Sequence, residues 1–200
     1  MQAAYEIQQV YPFTRFTIVG DGALRQSLEN LADRLQIAWA VHFTGWVSAT
    51  TLPSLLAGVD IVINPSLRAW SETFCIANIE AMSMGVPLVT FAVGGIGEYV
   101  MEPALNNANR NSSDTRGGND ESRPSTPHED LQKDSSVSDN AIVVDRATPI
   151  ALAKATLHLI RRPILRDALG RRGRQTIVDH FTVQRQMAQY ELLYTKLVNG

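Results

Sequence analysis

Short, mostly apolar runs recur along the chain at residues 15–20, 40–43, 60–64, 86–91 and 141–144, and most of them give way to Gly, Pro, Ser or Asn. That length and that punctuation predict buried strands followed by loops. Between them, residues 2–10, 23–36 and 50–58 carry the spacing of helices. A further helix is predicted after residue 72, where apolar residues recur at Phe74, Ile76, Ala77, Ile79, Ala81 and Met84. Gly85 is placed to be its C′ residue, and Pro87 prevents continuation. A short helix at 96–101 follows Val93-Gly94-Gly95. Thr148 before Pro149 gives an N-cap with proline at the first helical position, opening a helix to about residue 160. Helices at 164–169, 171–179 and 183–197 close the chain. Strands alternating with helices predict an α/β fold with a doubly wound parallel sheet.

One stretch breaks the pattern. Residues 104–138 are rich in Asn, Ser, Asp, Gly and Pro with almost no large apolar side chains. Such a stretch cannot bury enough apolar surface to order itself, so it is expected to be a disordered low-complexity insertion. The folded domain then comprises 1–103 and 139–200. The insertion follows a helix and precedes a strand, which places it on the sheet edge opposite a ligand. Asn111-Ser112-Ser113 and Thr126-Pro127 match modification patterns only as often as chance allows in so biased a segment.

Composition removes several function classes. The chain has 200 residues, 44% of them hydrophobic, enough for one well-packed domain. A formal net charge of −2 and scattered Trp39, Trp46 and Trp70 give no case for nucleic acid. No apolar stretch reaches transmembrane length, and the first residues lack a signal-peptide pattern. The single cysteine, Cys75, excludes an internal disulfide framework and suits a reducing compartment, so a cytoplasmic location is expected. His42, His128, His158 and His180 lack metal-ligand spacing, so no metal and no cofactor are expected.

Candidate chemistry collects after the strands. In doubly wound sheets, ligands bind at the carboxyl ends of the strands. Gly20-Asp21-Gly22, Thr44-Gly45-Trp46, the loop from Ser66 to Glu72, and Val93-Gly94-Gly95 all follow strands. Glu72 and Glu80 bracket the start of the predicted helix. With Glu72 just before its first turn, the two are ~12 Å apart along the axis and ~80° apart around it. Carboxylates accept hydrogen bonds from sugar hydroxyls, and a helix N-terminus offers free amides to a phosphate. A nucleotide-sugar presents both groups. Spacing alone leaves another reading open, a first-turn Glu complementing the helix dipole and a surface Glu. Ile79, Ala81 and Met82 beside Glu80 argue that its carboxylate needs a partner.

The series Ser71-Glu72-Thr73-Phe74, Glu80-Ala81-Met82, Gly85-Val86-Pro87 and Gly94-Gly95 with Glu98 resembles the donor-site signature of retaining GT-B glycosyltransferases of group 1 (family 4 and its relatives). Val19-Gly20-Asp21-Gly22 with Arg25, Val41-His42-Phe43-Thr44-Gly45 and Phe181 extend the resemblance over about 5–103 and 139–198. It implies a Rossmann-like C-terminal half of a GT-B fold, incomplete at its N-terminus. It implies transfer of a sugar from a nucleoside diphosphate to a hydroxyl acceptor held by an N-terminal domain not included here, without which the chain alone is expected to be inactive. By the same resemblance Glu72 is the catalytic residue that holds the transferred sugar and Glu80 binds the ribose. The amides of Thr73, Phe74, Cys75 and Ile76 then line the diphosphate. Gly20 and Gly22 let backbone approach the nucleotide, Gly45 edges the base, and Gly94 and Gly95 shape the loop beneath the sugar. Thr73 and Cys75 stand where the family often has glycine. The family's basic diphosphate clamp lies in a loop absent from this chain. That absence keeps a rival reading alive, a nucleotide-sugar-binding or interaction module without catalysis.

Overall fold

The computed structural model describes residues 1–67, 73–91, 93–100 and 135–199. Chain order is α1 (Gln2–Val10), β1 (Phe16–Val19), α2 (Arg25–Arg34), β2 (Val41–Gly45), α3 (Leu52–Leu56) and β3 (Val62–Asn64). Then come α4 (Ile76–Ser83), β4 (Leu88–Phe91), β5 (Ser135–Val137), β6 (Ile142–Val144), α5 (Pro149–Ile160), α6 (Pro163–His180) and α7 (Val183–Asn199). Tight 3-10 turns occupy Ala38–Ala40 and Gly94–Glu98.

Among the described residues the strands form two sheets. β1 and β2 pair in parallel, with Phe16 opposite Val41 and Ile18 opposite Phe43. The larger sheet has the order β3-β4-β6-β5. Its first three strands are parallel, with Val62 opposite Leu88 and Val89 opposite Ile142. β5 departs from the all-parallel expectation and runs antiparallel at the edge, Val137 opposite Ile142.

β5 also shortens the expected low-complexity insertion. Its last four residues, 135–138, are ordered by a single buried apolar side chain and a turn. Val137 joins Val89 and Ile142 in the core. The Ser138 hydroxyl accepts from the Ala141 amide at 3.0 Å and donates to the Ala141 carbonyl at 2.9 Å. One apolar residue among polar ones is too little for a hydropathy pattern to register. Residues 104–134 of that stretch lie outside the described residues.

All four residues of β4 are buried, as expected of a strand covered on both faces. On one face Val89, Phe91, Ile142 and Val144 meet Ala151, Leu152, Ala155 and Leu159 of α5. On the other, Leu88 and Ala141 meet Met82 of α4 and Ile177 of α6. α1 links the two sheets: fully buried Ile7 packs with Ala153 and Leu157 of α5, against Phe16 of β1 and Ile63 of β3.

The helix boundaries follow local chemistry. Thr148 Oγ1 accepts from the Ala151 amide at 3.2 Å, the cap expected before Pro149. Helices expected at 164–169 and 171–179 are instead one helix, α6, running through Gly170. A Cβ on Gly170 would lie 2.1 Å from the Gly85 carbonyl oxygen, so this glycine marks a close approach of two backbones rather than a helix end. Described side chains on α7 are all exposed. Among the described residues, no helix is long and apolar enough to cross a membrane, and no cluster of His, Cys, Asp or Glu could hold a metal ion.

Candidate donor site at the carboxyl ends of the strands

The site is built around α4. Its C-terminus closes as the sequence predicts: Gly85 has φ +75°, its amide reaches the Met82 carbonyl at 2.9 Å, and the Val86 amide reaches Ala81 at 3.1 Å. This is the paired bonding of a Schellman stop. Its N-terminus differs from expectation. The helix begins at Ile76, with Cys75 before it in the left-handed region at φ 50°, ψ 76°. The first free amides are therefore those of Ile76 and Ala77, and both residues are exposed. Thr73, Phe74 and Cys75 precede the helix, and Cys75 does so in a conformation that glycine adopts without strain. Glu72 stands four positions before the first helical residue and lies outside the described residues, as do Arg68 and Trp70. The axial separation derived for the two glutamates assumed a helix starting earlier, and it does not apply.

Two polar and aromatic contacts explain why the helix starts late. Asn64, buried at the end of β3, accepts from the Ser66 amide at 2.9 Å and donates to Cys75 Sγ at 2.9 Å. One side chain thus ties both ends of the loop between β3 and α4. Phe74 turns inward, its ring 5.4 Å from that of Tyr99 and 5.7 Å from that of Phe181, in edge-on and tilted arrangements. Phe181, expected only as a landmark before the last helix, completes this aromatic cluster.

Glu80 lies on α4 and is half-buried. Its carbonyl accepts from Ser83 Oγ at 2.7 Å, while no described donor reaches its carboxylate. Gly94 has φ +55°, and Gly95 is pressed against the loop before α4: a Cβ there would lie 2.0 Å from the Thr73 carbonyl oxygen. Glu98 Oε1 would be 3.5 Å from that Cβ, so the carboxylate folds back over its own turn. The structure therefore brings Thr73, Phe74, Cys75, Gly95 and α4 into one group.

A second group forms at the ends of β1 and β2. The Gly20 amide donates to the Gly45 carbonyl at 2.9 Å, and both glycines have positive φ, 116° and 69°. Gly22 has open space where a Cβ would be. Arg25 lies over this turn. It donates to Glu29 at 2.9 Å, to Asp21 at 3.3 Å and to the Phe43 carbonyl at 3.4 Å. The hydrogen bond to Glu29 and the nearby Asp21 charge hold its guanidinium above the usual range, against some opposing desolvation. Trp46 is 79% exposed, so it is not a packing residue.

Sequence reasoning passed over Asn64, Asn78 and Tyr99. Asn78 is fully buried on α4 and Tyr99 is fully buried after the Gly94–Glu98 turn. The available signal was a polar residue inside an apolar context, Asn64 after Ile63 and Asn78 between Ala77 and Ile79.

The family model for glycosyl transferases group 1 matches residues 1–113, and the chain belongs to that family. Its fold is that of the GT-B glycosyltransferases. An uncharacterized glycosyltransferase of Methanocaldococcus jannaschii is 37% identical over 86 residues, 43% of this chain and 21% of that protein. The solved sucrose-phosphate synthase of Thermosynechococcus elongatus superposes with a TM-score of 0.71 at 21% identity, over 99% of this chain and 42% of its own. Anabaena HepE, solved in complex with UDP, gives a TM-score of 0.66 at 18% identity over 96% of this chain and 44% of its own. The chain thus spans about a fifth of the sequence relative and under half of each solved structure.

Proposed function

We propose that this chain is the nucleotide-sugar donor-binding portion of a retaining glycosyltransferase, which moves a sugar from a nucleoside diphosphate to a hydroxyl acceptor. The observation that carries it is Glu80: a half-buried carboxylate without a described donor, on a helix whose first two residues are exposed. Such a carboxylate keeps its acceptor positions open to a ligand that supplies hydrogen-bond donors. Ribose hydroxyls do so, while the amides of Ile76 and Ala77 meet the diphosphate, whose negative charge the helix N-terminus favours. Stabilising that leaving group lowers the barrier to transfer. Gly94 and Gly95 bring their turn against the loop that precedes α4, and Glu72 is assigned the hydroxyls of the transferred sugar. The base lies by Gly45 and the exposed Trp46, with Gly20 and Gly22 leaving backbone open to the nucleotide.

The acceptor and the rest of the active site belong to a second domain in this reading. The chain by itself then binds donor without transferring sugar. Titration of the chain with UDP, GDP and ADP by calorimetry tests the reading. One of the three binds, and Glu80→Ala weakens it at least tenfold, the loss of about one charge-assisted hydrogen bond. Equal affinities for the variant and the parent chain would remove Glu80 from the site.

A further inference from the structure

Tyr99 sits where three segments of the donor site meet. Its hydroxyl accepts from Asn78 Nδ2 at 2.9 Å, a bond between two side chains with no solvent exposure. Its ring packs against Phe74, in the loop before α4. Its carbonyl accepts from Asn140 Nδ2 at 2.8 Å, and the same amide reaches Thr176 Oγ1 of α6 at 3.1 Å. Tyr99 itself ends the turn that carries Gly94 and Gly95, its amide bonded to the Ile96 carbonyl at 3.3 Å.

The Asn78–Tyr99 bond is a poor way to gain stability. Asn78 Oδ1 is buried with no hydrogen-bond partner among the described residues. A buried orphan acceptor costs about 1–3 kcal/mol, and replacing both partners of such a bond by apolar groups of similar shape is often neutral or favourable. Leu at 78 facing Phe at 99 would remove the orphan and keep every ring contact. What an apolar pair lacks is direction: it lets the helix roll, whereas one amide aimed at one hydroxyl fixes the angle. Asn78 is the third residue of α4, in the same first turn as the exposed residues Ile76 and Ala77 and two residues before Glu80.

We propose that Asn78 and Tyr99 are positioning residues for the donor site, setting the roll of α4 so that its first amides and the Glu80 carboxylate address the same nucleotide. This rests on the donor-binding reading above and deepens it. Neither side chain touches ligand; both act through α4.

The test is the paired variant Asn78→Leu/Tyr99→Phe, compared with the parent chain and Glu80→Ala in UDP, GDP and ADP titrations and in urea unfolding. The paired variant keeps or raises its unfolding midpoint while its affinity for the nucleotide falls about tenfold, the scale expected for a small misplacement of binding groups. Tyr99→Phe alone loses affinity as well and, leaving the Asn78 amide unpaired, also loses stability. If the paired variant binds like the parent chain while Glu80→Ala does not, the donor site stands and the positioning role is overturned. A lower midpoint for the paired variant with unchanged affinity overturns it too, since the bond would then be an ordinary stabilising contact. If the parent chain binds none of the three nucleotides, the donor reading fails and this proposal with it.

Discussion

The two halves of the candidate site are held in opposite ways. Around α4, every element is fixed from beneath. β4 is wholly buried, Ala81 and Met82 are fully covered, and Asn78, Tyr99 and Asn140 form a dry polar network. At the ends of β1 and β2 no strand residue but Gly45 is buried, and Val19, Leu24 and Trp46 stand 44%, 70% and 79% exposed. Elements with few buried contacts open more readily than elements inside a core. Under the donor-site proposal the halves would do different work: the packed one would hold polar groups at fixed angles, and the open one would leave room for a nucleobase.

The largest expected effect separates the halves through their glycines. Gly170→Ala drives a Cβ to 2.1 Å from the Gly85 carbonyl, backbone against backbone, between α6 and the stop of α4. Neither helix can give way without moving Met82, so the cost is about 3 kcal/mol, the upper end for overpacking. Gly22→Ala, with no atom within 4 Å of the new Cβ, stays within about 0.5 kcal/mol of the parent. Urea midpoints measure both. Equal midpoints for the two variants would erase the contrast.

Core truncation repeats the comparison with smaller numbers. Leu88→Ala, at a position with no exposure, costs about 2–3 kcal/mol by transfer and cavity together. Ile18→Ala, an intermediate position of β1, costs about 1–2 kcal/mol, less than Leu88 because part of its surface already meets water and the two-stranded pair is free to collapse around the gap. A cost at Ile18 matching that at Leu88 would mean that the β1–β2 pair is buried by something further.

Much of this was readable in advance wherever one residue type has one structural use. Thr148-Pro149 marked the start of α5, and Gly85 with Pro87 marked the end of α4, because caps and stops act locally. The same residue type misled where its use was tertiary. Gly170 looked like a break between helices but is a contact with Gly85, and nothing within its own helix records that. The late start of α4 was hidden for a similar reason. Phe74 has helical spacing with its neighbours, yet it is drawn inward by Tyr99 and Phe181, far along the chain. Of the candidate site, the spacing of Glu72 and Glu80 and the glycine turns were visible. Asn64 was not, since an amide at a strand end is silent until its partners, Ser66 and Cys75, are located in space.

The smallest effect on stability tests the open half directly. Trp46 is 79% exposed at the end of β2, beside Gly45, whose positive φ turns the chain at that point. A large aromatic left in water gives the fold almost nothing, so Trp46→Ala leaves the urea midpoint within about 0.5 kcal/mol of the parent. If the nucleobase settles there, the same variant loses a stacking surface worth about 1–3 kcal/mol per base, and affinity for whichever of UDP, GDP and ADP binds falls about tenfold or more. The two readouts move independently because the residue belongs to the ligand's surroundings and not to the core. Tyr99→Phe is its mirror image, a buried change felt at the nucleotide through α4. An unchanged affinity for that nucleotide in Trp46→Ala would place the base elsewhere and reduce the β1–β2 end to a lightly packed margin of the fold.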